Sequence, residues 1–107
     1  MKLNELMNFI NLEYENLIKK YPDLTDKERL LSHCAKLWEE YGEVCEKILC
    51  LLWTQRKDKF EKWVSKEDIG HEIVDLIFVA LIISKSLNLD IQELISQNMD
   101  KVIKRRV

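Results

Sequence analysis

Apolar residues recur along this chain at helical spacing, with no stretch of strict alternation. Leu3, Leu6, Ile10, Leu17 and Ile18, with Phe9 and Tyr14, predict an amphipathic helix from about Asn4 to Lys20, ended by Tyr21-Pro22. Thr25-Asp26-Lys27-Glu28 then reads as a capping box that opens a long second helix. Leu30, Leu31, Cys34, Leu37, Trp38, Tyr41, Val44, Cys45, Ile48, Leu49 and Leu52 make that helix apolar on more than one face. It is therefore expected to lie centrally and to supply an oligomer contact. Thr54 to Lys66 is charged with isolated aromatics and predicts a loop or short helix ending before Ser65. Ser65 with Asp68 caps a third helix running to about Leu87, and Asn88 suits the left-handed position after it. Asp90 with Glu93 opens a fourth, whose stripe is Ile91, Leu94, Ile95, Met99, Val102 and Ile103. The expected architecture is all-α, a four-helix bundle in one domain over residues 1–107.

Composition sharpens this picture. Two glycines, one proline and 47% hydrophobic residues suit long helices with short connections. The 17 basic and 19 acidic residues are spread evenly, so no nucleic-acid footprint is visible beyond the short run Lys104 to Arg106. The longest wholly apolar run, Leu76 to Ile83, is eight residues against the roughly 20 needed to span a bilayer, so no membrane partner is expected. Cys34, Cys45 and Cys50 include no CxxC pair and read as reduced core thiols. Acids interrupt every apolar stretch of the N-terminus, which excludes a secretory segment, and a cytoplasmic protein is expected.

Candidate chemistry lies in the carboxylates. From Ile73 to Ile83, eleven positions, Asp75 alone is polar. At about 100° per residue, Glu72 falls near Leu76, Val79 and Ile83, and Asp75 near Val79 and Ile82. Burying such charges unpaired costs several kcal/mol, so a cation is expected beside them. Glu39, Glu40 and Glu43 lie on one side of the second helix, and antiparallel packing of the two helices would bring the two groups together. Oxygen ligands without His or Cys suit Mg²⁺ or Mn²⁺ rather than zinc. The plain alternative is a solvated face on which Glu39, Glu40 and Glu43 pair with Lys36 or Lys47.

EEYGE followed after 28 intervening residues by EIVD resembles the EExxE and ExxD pair of the MazG-like all-α nucleoside triphosphate pyrophosphohydrolases. Lys36 fits the KxxEE form, and the likeness runs from about His33 to Arg106. The resemblance implies a dimer or a dimer of dimers with sites between subunits. It implies Mg²⁺-dependent hydrolysis of a nucleoside triphosphate to the monophosphate and pyrophosphate, used to clear non-standard or surplus nucleotides. By position, Glu40, Glu43, Glu72 and Asp75 would be the main metal ligands, and Glu39 would bind a further ion or orient the attacking water. Glu39 and Glu40 are thereby the candidate catalytic pair. Lys36, Lys101 and Arg105 are candidate phosphate contacts, the last two matched by a solvated cationic helix end as the alternative. His71 stands where many relatives have an acid and Val74 where many have a small residue. Trp38, Trp53 and Trp63 offer stacking surfaces whose commoner use is core or subunit packing. Phosphoribosyl-ATP pyrophosphohydrolase shares the KxxEE and ExxD arrangement, and a non-catalytic helical interaction module is the remaining alternative.

Overall fold

Four helices account for the secondary structure of the described residues, 1–52 and 64–106 of a computed structural model. They are α1 (Leu3–Lys20), α2 (Asp26–Leu52), α3 (Lys66–Ser86) and α4 (Ile91–Arg105). No strand occurs among these residues. The expected segment Thr54 to Lys66 falls outside them up to residue 63, as do Trp53 and Trp63.

The helix boundaries follow local chemistry. The Glu28 carboxylate accepts from the Thr25 amide at 2.9 Å, and the Thr25 hydroxyl accepts from the Glu28 amide at 3.1 Å. The same reciprocal pair joins Ser65 and Asp68 at 2.9 and 3.1 Å. Each box satisfies two amides that a helix start otherwise leaves without partners. Those bonds to the ionised form also hold the Glu28 and Asp68 carboxyls below their ordinary range. At the end of α3, Asn88 takes φ 54°, the Leu89 amide donates to the Ser84 carbonyl, and the Asn88 amide donates to the Lys85 carbonyl. This is a Schellman closure with Asn in the left-handed place. Asp90 then accepts from the Glu93 amide at 3.2 Å and starts α4.

Packing departs from expectation first in which helix is central. α3, rather than α2, is the central element: α2 lies along one flank and α1 along another, while α1 and α2 scarcely touch. The reason is compositional, because between Glu72 and Ser84 α3 carries a single polar residue, Asp75, and so has two flanks to cover. Phe9 of α1 meets Phe78 of α3 with ring centroids 5.2 Å apart and planes tilted by 49°. Ile10, fully enclosed, Val44 and Ile69 form the small buried core.

α4 does not fold back onto this layer with comparable packing. The radius of gyration is 17.2 Å, against about 13 Å for a compact chain of this size. Much apolar surface is consequently open, including Trp38 at 80%, Leu52, Ile77, Met99 and Ile103. The cysteines are unpaired, as expected, but Cys34 is exposed and so is not a core thiol. No helix among the described residues is long and apolar enough to cross a membrane.

Candidate metal centre

α2 and α3 run side by side so that Glu40 and Glu43, three residues apart on α2, face Glu72 on α3. One carboxylate oxygen from each lies within 4.8 Å of the others. Glu40 is the most enclosed, its side chain only 7% exposed, and Glu72 is largely covered. One oxygen of each is occupied: Glu40 Oε1 by Lys36 Nζ at 3.2 Å, Glu72 Oε1 by Lys47 Nζ at 2.7 Å. The other two, Glu40 Oε2 and Glu72 Oε2, are buried with no hydrogen-bond partner.

Electrostatics follow from this crowding. The Glu43 carboxyl is pushed above its ordinary range, chiefly by the adjoining Glu72 carboxylate and then by the charge of Glu40. Glu72 is held low, first by the Lys47 ammonium and then by Glu43. Glu43 is thus the member of the pair that keeps a proton longest. The lysines respond in kind: Glu40 and Glu39 raise Lys36, and Glu72 raises Lys47.

The donor set fits a hard divalent cation. All three groups are carboxylates, two buried oxygens lack partners, and oxygens around an ion of the Mg²⁺ type stand roughly 3 to 4 Å apart, comparable to the spacing here. Burying such oxygens with neither a proton donor nor an ion is costly, which a cation would relieve.

The other expected residues are not brought to this cluster. Asp75 is exposed, which corrects the expectation that apolar neighbours enclose it. Ile73, Val74 and Ile77, its near neighbours along α3, are likewise partly open to solvent among the described residues. Glu39 is exposed and pairs with Lys36 at 3.6 Å. The plain alternative of acid–lysine pairing therefore holds for Lys36 and for Lys47, the latter through Glu72 on the neighbouring helix rather than along α2. Lys101 and Arg105 are exposed on α4, which does not approach the α2–α3 cluster. His71 and Trp38 lie at the surface.

Two hollows open on α2, of which the smaller borders the acids. One, of about 390 Å³, is bounded by Glu43, Glu46, Lys47, Cys50, Val64 and Glu72. The other, of about 530 Å³, lies between α1, α2 and α3 and carries Arg29, His33 and Lys36 at successive turns of α2, opposite Tyr14 and Lys20. Arg29 is buried, and neither a hydrogen bond nor an ion pair to its side chain occurs among the described residues. Burial, and then the charge of Arg29, pull the His33 pKa below its ordinary value. Sequence reading passed over Arg29, although a guanidinium one helical turn from His33 and two from Lys36 marks the same face.

The family model of the MazG nucleotide pyrophosphohydrolase domain matches residues 28–107. The chain belongs to this family. The matched span begins at the α2 capping box and takes in α2, α3 and α4, so every acid of the cluster lies on helices within it. No match is found among curated proteins or among solved structures. Membership makes a nucleotide pyrophosphohydrolase the functional class, and a divalent metal is usual in it.

Proposed function

We propose that residues 1–107 form a single domain that hydrolyses a nucleoside triphosphate to the monophosphate and pyrophosphate with Mg²⁺, Mn²⁺ substituting. The observation that carries this is the meeting of Glu40, Glu43 and Glu72 with two buried oxygens left over, in a MazG-family chain. A divalent ion held there would neutralise phosphate oxygens and lower the pKa of a water. Asp75, one turn beyond Glu72, and Glu39, beside Glu40, would join on the open side where substrate arrives, with Glu39 orienting the attacking water. The motif supports these two assignments and the cluster does not. The water adds to a phosphorus and gives its proton to solvent, and the phosphoanhydride P–O bond opposite it breaks, so that the monophosphate and pyrophosphate separate.

The chain's own residues supply binding. Arg29, His33 and Lys36 present donors along one wall of the larger hollow, where an anionic ligand meets complementary charge, while Tyr14 offers a ring face and Glu13 an acid on the facing α1 wall. Lys101 and Arg105 would reach phosphates from the α4 of a second copy, since their own helix does not come near. A homodimer or homotetramer would cover the apolar surface left open on α2 and α4. House-cleaning of surplus or non-standard nucleotides in the cytoplasm is the use proposed for this activity.

The test is a pyrophosphate-release screen over common and modified nucleotides with Mg²⁺ and Mn²⁺, run on the native chain and on Glu40→Gln. Activity should depend on the metal and fall by roughly 100-fold or more in the variant, at unchanged helicity. A Glu40→Gln protein with full activity would remove the site assignment.

A further inference from the structure

Lys47 stands out among the residues around the acids. It belongs to α2 yet bonds Glu72 on α3, and its Nζ–Oε1 contact of 2.7 Å is the one ion pair between helices among the described residues. The bond uses one oxygen of Glu72 and leaves Oε2 buried and without a partner. Lys36 treats Glu40 in the same way, taking Oε1 and leaving Oε2. Glu40 and Glu72 are therefore each gripped from one side by an ammonium, with the opposite, buried oxygen unclaimed.

An isolated Glu side chain turns about three bonds, and beside two other carboxylates repulsion would drive it outward. A fixed donor on one oxygen removes that freedom. Carboxylates that ligate metal are commonly held by such an outer hydrogen bond. We propose that Lys47 is a positioning residue of the metal centre: by holding Glu72 Oε1, it turns Glu72 Oε2 toward the cation. This rests on the metal reading above but adds a residue that the EExxE and ExxD pattern does not contain.

The proposal makes a prediction opposite in sign to simple electrostatics. Removing a positive charge close to a cation site should tighten cation binding if charge alone matters. If Lys47 positions its acid, Lys47→Met weakens Mn²⁺ binding by about 10- to 100-fold, and Lys47→Arg, which keeps the charged donor, restores most of it. Binding of Mn²⁺ alone is followed by calorimetry, and unfolding in chelator reports on the fold of each variant. Should the Met variant not fold, Lys47→Gln against Lys47→Arg makes the same comparison. Native protein that binds Mn²⁺, with Lys47→Met binding equally or more tightly, would overturn the positioning role while leaving the metal centre intact. Native protein that binds no Mn²⁺ would overturn both. A purely structural pair would lower the unfolding temperature and leave the Mn²⁺ affinity where it was.

Discussion

His33 illustrates how a single side chain ties stability to pH. Its pKa is depressed because it is partly withdrawn from water and lies near the buried Arg29. The unfolded chain therefore takes up a proton at a higher pH than the folded one, and stability falls as pH drops below about 6.5, where an unrestrained His begins to charge. Above that value His33 adds no slope. His33→Gln should flatten the dependence of the urea midpoint between about pH 6.5 and 5, and an unchanged slope would place the titration elsewhere. Further down, below about pH 4.5, Glu28, Asp68 and Glu72 contribute a second loss, since all three are held low in the fold and must protonate when it is lost. Glu43 has the opposite sign: its raised pKa opposes folding above its unfolded value, and protonation relieves that cost.

At the scale of the element, the breaks between helices are governed by a few backbone-directed side chains. Asn88 holds φ 54°, a conformation that costs a residue with a plain Cβ about 1 kcal/mol. Asn88→Ala should destabilise by about that much in chemical denaturation, and Asn88→Gly should be neutral or slightly stabilising. An Ala variant as stable as the native chain would mean that the turn re-forms by another route. These boundaries were legible from sequence because caps act over three or four residues. Thr25, Ser65, Asn88 and Asp90 each take the place their local spacing predicts. The meeting of Glu40 and Glu43 with Glu72 was also legible, since helical spacing gathered the α2 acids on one side and side-by-side packing of the two helices would bring Glu72 to them. The environment of Asp75 was not. Its apolar neighbours Val79 and Ile82 are half-buried, but periodicity does not say how far cover extends around a helix, and among the described residues Asp75 itself stays exposed. Lys47 was readable as a basic residue at helical spacing from Glu43, but its true partner belongs to another helix and depends on interhelical register. The central place of α3 was hidden for a similar reason: both long helices are rich in apolar residues, and only packing ranks them.

On the scale of the whole molecule, the chain is more extended than its length requires, with α4 carrying an uncovered stripe of Ile95, Met99, Val102 and Ile103. The homo-oligomer proposed above would cover it. Val102→Glu should shift the protein to monomer in sedimentation while α1–α3 keep their helicity, because α4 contributes little to their packing. A variant that sediments like the native chain would place the contact on another surface, with α2 the next candidate.

The separation of α4 from its own acid cluster has a kinetic consequence. If the cations that meet the phosphates arrive on a neighbour's α4, each protomer alone holds half of what turnover needs. Output per molecule would then fall on dilution, and at scarce enzyme the total rate would climb with the square of the amount present rather than in proportion to it.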